Sequence, residues 1–260
     1  MPVFNNKDVT LNYATFGDHR NPALIFSNSL GTSYQMWQLQ IDALQNEYFI
    51  ICYDTRGHGQ SSAPKGPYNL DELGQDVIDL LDHLHIDKAF FCGISMGGMT
   101  GQWLAIHHPD RFYHLMLCNT AAKIGNETAW RERAQLVREQ GLDPIAATAA
   151  SRWFTAGFID SYPEVVKALS DTLAAGSSEG YASCCEALSI ADTREQLEDI
   201  DVPITVLVGS KDPVTTVADG EYMVDHIPNA VLATIDASHI SNIEQPEVFN
   251  QLIRQHLTNE

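Results

Sequence analysis

A chain of 260 residues, 44% of them apolar and 19% charged, can bury one large core, and it has no low-complexity or Gly/Ser/Pro-rich stretch, which excludes a disordered or fibrous protein. Its formal charge of −19, from 15 basic against 34 acidic residues, argues against nucleic-acid binding, because neutralising phosphates takes a basic face. No apolar run approaches the roughly 18 residues of a membrane span, and the residues from Met1 to Asp8 lack the basic start and apolar core of a signal peptide, so a soluble cytoplasmic protein with no membrane partner is expected.

In chain order, short apolar runs alternate with stretches of helical period. Strands are expected at 11–16 and 23–27, a helix at 34–45, a strand at 48–53, a helix at 70–85, a strand at 89–92, a helix at 96–107 and a strand at 114–118. After a long interval the pattern resumes with a strand at 204–208, a helix at 217–226, a strand at 231–235 and a helix at 246–256 that begins with Pro246. Several strands are apolar on both faces, as a covered parallel sheet requires. The class is α/β, with a mostly parallel central sheet flanked by helices. Between 118 and 204 the alternation stops, and helices are expected at 127–139, 144–151, 163–174 and 181–189. Residues 121–199 therefore read as a helical lid inserted into a core made of 1–120 and 200–260. The five cysteines, Cys52, Cys92, Cys118, Cys184 and Cys185, read as free structural thiols, and none has partners at zinc-ligand spacing, so no metal site is expected.

The chemistry gathers where strands end. Gly93-Ile94-Ser95-Met96-Gly97 follows the strand at 89–92 and opens the helix at 96–107, the strand, sharp turn and helix that a nucleophilic serine needs. The glycines leave room for a strained turn, and the helix start offers the Met96 N–H beside the seryl oxygen. A serine also needs a histidine to take its proton and an acid to hold that histidine. Asp212, in the turn after the strand at 204–208, and His239, after the last strand, fall in the order Ser, Asp, His, each behind a strand of the right rank. The turn Asn28-Ser29-Leu30-Gly31 after the strand at 23–27 is the place for a second oxyanion donor, assigned to the Leu30 N–H acting with that of Met96.

With these residues in place, residues 22–256 resemble the α/β-hydrolase superfamily. Five strings resemble one family within it, the 3-oxoadipate enol-lactonases: Ser27-Asn28-Ser29-Leu30-Gly31-Thr32, Tyr53-Asp54-Thr55-Arg56-Gly57-His58-Gly59, the segment from Phe91 to Met99, Leu117-Cys118-Asn119-Thr120-Ala121, and the segment from His239 to Pro246. Asn28-Ser29 stands where many wider relatives carry His-Gly. Asn119 is a neutral amide where some relatives carry the acid, which favours Asp212. The resemblance implies a cofactor-free bacterial enzyme of aromatic-acid breakdown, in the β-ketoadipate pathway, that opens 3-oxoadipate enol-lactone to 3-oxoadipate.

Such a partner is a small anionic lactone, and the acidic chain must supply a local cation to receive it. Seven of the 15 basic residues, Lys123, Arg131, Arg133, Arg138, Arg152, Lys167 and Arg194, fall between 121 and 200 among 13 acids. Arg133 and Arg152 are nominated to bind the carboxylate, with Trp130 and Trp153 as aromatic walls. A general carboxylesterase or lactonase, a perhydrolase, or a carbon–carbon bond hydrolase would use the same triad, and a non-catalytic hydrolase-fold receptor would retain it for capture. A haloalkane dehalogenase is disfavoured, since its nucleophile would be a carboxylate. Monomer and homodimer are both left open.

Overall fold

Eight strands form one sheet in the computed structural model, which describes residues 2–258. They are β1 (Val3–Asn6), β2 (Val9–Phe16), β3 (Ala23–Ser27), β4 (Phe49–Tyr53), β5 (Ala89–Ile94), β6 (Phe112–Cys118), β7 (Ile204–Gly209) and β8 (Ala230–Ile235), in the spatial order β1-β2-β4-β3-β5-β6-β7-β8. β2 runs antiparallel to both of its neighbours, and every other pairing is parallel. From β3 the chain first builds outward to β4 and then returns to add β5 on the other side. That reversal opens a crevice at the carboxyl ends of β3 and β5, where Ser27 lies opposite Gly93, the place where open α/β sheets bind ligands.

The helices, in chain order, are α1 (Gln38–Leu44), α2 (Leu70–His83), α3 (Met96–His107), α4 (Glu127–Gln140), α5 (Asp143–Ala146), α6 (Ala150–Trp153), α7 (Ala156–Ser161), α8 (Pro163–Ala174), α9 (Ser178–Ile190), α10 (Val217–His226), α11 (Ser241–Glu244) and α12 (Pro246–His256). Side chains alternate across the strands, as the pleat demands. Leu24 and Phe26 of β3 join one apolar core with residues of α1, α12 and the helices between β6 and β7. Ile25 joins the second core with residues of α2, α3 and α10. Both faces are thus covered, as the apolar character of the strands requires. All five cysteines are free and buried, and among the described residues no helix is long and apolar enough to cross a membrane.

The structure departs from the sequence expectations at short or exposed elements. β1, with Val3 half-exposed, is an edge strand of four residues, and its sequence Val3-Phe4-Asn5-Asn6 carries no apolar alternation to read. The expected helix at 34–45 starts as a 3₁₀ turn, Tyr34–Trp37, whose first N–H is taken by Asp54 Oδ1 at 2.8 Å. The expected helix at 144–151 is two single turns, α5 and α6, with Thr148 between them. The turns α7 and α11 are too short to carry a period.

Candidate active site

β5 passes into α3 at Ser95, whose backbone stands at φ 59°, ψ −113°, a region that costs a non-glycine residue on the order of 1–3 kcal/mol. The surroundings hold it there. Ser95 N–H donates to Cys118 O at 3.0 Å, and Thr120 Oγ1 donates to Ser95 O at 2.9 Å. The flanking glycines are required by packing. A Cβ on Gly93 would lie 2.4 Å from the Gly97 carbonyl oxygen, and one on Gly97 would lie 2.3 Å from that of Ser27. The Ser95 turn and the β3 loop are therefore in backbone contact.

That loop is fixed from several sides. Asn28 donates to Tyr53 O at 2.8 Å and accepts from Trp37 Nε1 at 2.9 Å. Gly31 N–H donates to the buried His58 Nε2 at 2.9 Å. The ring must present an acceptor there, and burial pushes its pKa down, which favours the neutral form. Asp54, held by Asn12 Nδ2 and Gln60 N–H, receives the Tyr34 N–H at the far end of the loop. Among the described residues the N–H of Leu30 has no acceptor, and that of Met96 is one of the orphan donors of a helix start. The loop-holding parts of Asp54 and His58 were not assigned from sequence. The signal was their place in a polar string directly after a strand at this sheet edge.

Asp212 follows β7 and His239 follows β8, and His239 Nδ1 lies 2.8 Å from Asp212 Oδ2. The carboxylate also accepts from Asn119 Nδ2 at 3.0 Å, Thr215 Oγ1 at 2.8 Å and Val214 N–H at 2.8 Å. Burial pushes the carboxyl up, but the hydrogen bonds from His239, Asn119 and the backbone outweigh it and hold Asp212 below the usual carboxylate range. Asn119 stands at φ 45°, donates also to Ser238 O at 3.1 Å and accepts from Ser241 Oγ at 2.6 Å. It thus locks the acid loop to the histidine loop.

Ser95, His239 and Leu30 line a cavity of about 200 Å³ together with Trp130, Arg133, Arg152 and Trp153. All four residues nominated for the substrate are therefore brought to the serine and histidine. No hydrogen bond joins Ser95 Oγ to the imidazole among the described residues. Trp130 and Arg133 stand three apart on α4 and so share a face, which the helix start capped by Asn126 turns toward the cavity. Arg133 lies over the Trp130 ring, 4.9 Å from its centroid.

The pairing of cations separates these two arginines from the rest. Arg20, Arg56, Arg111, Arg131, Arg138, Arg194 and Arg254 each meet a carboxylate. Lys123 and Lys167 of the same helical segment are likewise paired, with Asp192 and Asp171. Among the described residues only Arg133 and Arg152 of the nine arginines have no such partner. Arg152 instead donates to Thr148 Oγ1 at 2.8 Å and Ile145 O at 3.3 Å. Burial pushes its pKa down, and the nearby charge of Arg133 adds to that. The cavity therefore carries positive charge without a counter-charge, which suits an incoming anion.

A family model described as the alpha/beta hydrolase fold matches residues 22–246. Over 259 residues the chain is 63% identical to the 3-oxoadipate enol-lactonase 2 of Acinetobacter baylyi, covering 97% of each. The 3-oxoadipate enol-lactonase 1 of the same organism is 46% identical over 250 residues, 96% of this chain and 94% of that one. Among solved structures, the enol-lactonase from Burkholderia xenovorans LB400 superposes with a TM-score of 0.96 at 41% identity, covering 98% of this chain and 99% of that one.

Proposed function

This chain belongs to the α/β-hydrolase fold family and, within it, to the 3-oxoadipate enol-lactonases, and from that premise we propose that it opens 3-oxoadipate enol-lactone to 3-oxoadipate with Ser95 as nucleophile, His239 as base and Asp212 as the acid that orients it. Residues 121–199 serve as the lid over the core of 1–120 and 200–260, and the protein works in the cytoplasm, in aromatic-acid breakdown by the β-ketoadipate pathway. The observation that carries the substrate reading is the pair Arg133 and Arg152, unmatched by carboxylates among the described residues of a chain of net charge −19 and lining the cavity of Ser95 and His239. The substrate's carboxylate takes that place, and the tryptophans wall its ring.

In the first half-reaction Ser95 Oγ attacks the lactone carbonyl carbon while His239 Nε2 takes the hydroxyl proton. The Ser95–His239 contact tightens when substrate fills the cavity, as catalytic hydrogen bonds commonly do. Asp212 accepts from Nδ1 and favours the imidazolium. The tetrahedral oxyanion takes the N–H groups of Leu30 and Met96, and loss of one such donor costs on the order of 10²–10³ in rate. The C–O ring bond then breaks. Its oxygen leaves as an enolate, a weaker base than an alkoxide, and takes the proton back from His239. Tautomerisation to the ketone removes the tethered nucleophile that would otherwise reclose the ring. In the second half-reaction His239 takes a proton from water, the hydroxide attacks the acyl carbon, and the returning proton restores Ser95 as the dicarboxylate leaves.

The test follows loss of lactone absorbance for the wild type and Ser95→Ala beside a neutral p-nitrophenyl ester. Fast lactone opening that falls by several orders of magnitude in Ser95→Ala, with weak ester cleavage, is the expected result. An inert lactone beside rapid ester cleavage would move the function to a general carboxylesterase.

A further inference from the structure

His239 sits between two backbone N–H groups, one bonded to the segment carrying Arg152 and the other joined to it through Glu244. Ile240 N–H donates to Trp153 O at 3.0 Å. Ser238 N–H donates to Glu244 Oε2 at 2.8 Å, and the other oxygen of that carboxylate accepts from the hydroxyl of Thr155 and from its N–H at 3.3 Å. Glu244 is buried and has no cationic partner among the described residues. Its own turn is anchored to the core, because Asn242 Nδ2 donates to Met36 O at 2.8 Å and to Gln40 Oε1 at 3.0 Å. On the far side, Thr155 caps α7 by accepting from Phe158 N–H at 3.4 Å. A carboxylate buried on neutral donors alone is costly. Its two oxygens serve two backbone N–H groups and a hydroxyl, whereas a glutamine would offer the N–H groups of Ser238 and Thr155 a single oxygen and turn the Thr155 hydroxyl from donor to acceptor.

We infer that Glu244 is a positioning residue that ties the segment of Arg152 to the loop of His239, so that a substrate carboxylate docked on the arginine brings the imidazole into register with the ester. This rests on the proposed role of Arg152 in holding that carboxylate. Glu244 touches neither substrate nor reacting atoms, and it acts through the two loops it joins. Its removal should therefore weaken the advantage of a carboxylated substrate over a neutral one, and should do so only while Arg152 is present.

The experiment measures kcat and KM of the wild type, Glu244→Gln and Thr155→Val, each with and without Arg152→Met. Two esters matched in length serve as substrates, the mono-p-nitrophenyl ester of adipic acid and p-nitrophenyl hexanoate. Losing the charge and leaving one oxygen for two backbone N–H groups should lower kcat/KM for the carboxylated ester about 10- to 100-fold in Glu244→Gln, with a much smaller loss on the neutral one. In the Arg152→Met background the same change should cost no more than about twofold. Thr155→Val removes the hydroxyl's share of the tie from the lid side, leaves the Glu244 carboxylate in place, and gives the readout if Glu244→Gln fails to fold. Equal losses on both esters that add to the effect of Arg152→Met would overturn the coupling and leave Glu244 as a brace of the histidine loop. An inert lactone with coupling intact would instead refute the lactone as substrate and leave the coupling standing.

Discussion

Replacing Arg152 with Met should move activity and stability in opposite directions. The guanidinium is half-buried beside Arg133 and, among the described residues, lacks a carboxylate and donates only to the Thr148 hydroxyl and the Ile145 carbonyl. In the free protein the two like charges repel in a partly desolvated site, so removing one relieves the fold. A methionine fills the same volume along the cavity wall without a charge to solvate. Once the substrate carboxylate is bound, the same guanidinium makes a charge-assisted hydrogen bond worth about 1.5–3 kcal/mol. Its loss corresponds to a fall in kcat/KM for the enol-lactone of about 10- to 150-fold, carried mostly by KM, because the carboxylate lies away from the bond that breaks. Lactone opening followed by absorbance supplies the kinetic constants, cleavage of a neutral p-nitrophenyl ester supplies the control, and thermal unfolding of the ligand-free protein supplies Tm. The expected result is a raised lactone KM, a nearly unchanged neutral-ester rate and a Tm equal to or above the wild type. An unaltered lactone KM, or equal damage to both substrates, would refute the placement of the carboxylate on Arg152.

Two further outcomes follow from the same geometry. Asp212→Asn puts an amide where His239 Nδ1, Asn119 Nδ2 and the Thr215 hydroxyl all donate, so kcat should fall about 10⁴-fold through the wrong imidazole tautomer; a loss below tenfold would remove Asp212 from its role. Because the folded-state pKa of Asp212 is depressed, its contribution to stability is complete above the unfolded value of about 3.9 and is lost as pH falls through the folded value. The Tm gap between wild type and Asp212→Asn should therefore be constant near neutrality and shrink below about pH 4. Gly97→Ala drives a methyl into the Ser27 carbonyl oxygen at 2.3 Å, backbone against backbone, and should cost about 1–3 kcal/mol or roughly 2–12 °C in Tm, with activity lost together with the register of the β3 loop; a wild-type Tm and rate would show that the contact gives way easily.

Much of this candidate site was legible along the chain because its residues stand at strand ends. Apolar runs mark the strands, the chain order of strands in an α/β sheet puts their carboxyl ends along one edge, and the residues just after them, Leu30, Ser95, Asp212 and His239, can be named before any coordinate is known. The glycines at 93 and 97 around Ser95 also mark that turn in the sequence, the first for room within the turn itself. What the chain order does not encode is which long side chains share a space. Seven basic residues of the helical segment are equivalent in composition, and five of them are consumed by carboxylates that lie as near as the next turn of helix, as with Arg131 and Glu127, or as far along the chain as Lys123 and Asp192. Only the tertiary packing of α4 and α6 leaves Arg133 and Arg152 without such partners among the described residues and brings them to the cavity of the serine. The same holds for His58, Asn119 and Glu244, whose partners are 27, 93 and 89 residues away in sequence. Strand order and the room the Ser95 turn needs at Gly93 are properties of neighbours along the chain, whereas the fit of Gly97 against Ser27, charge pairing and the bracing of loops depend on contacts that exist only once the chain has folded.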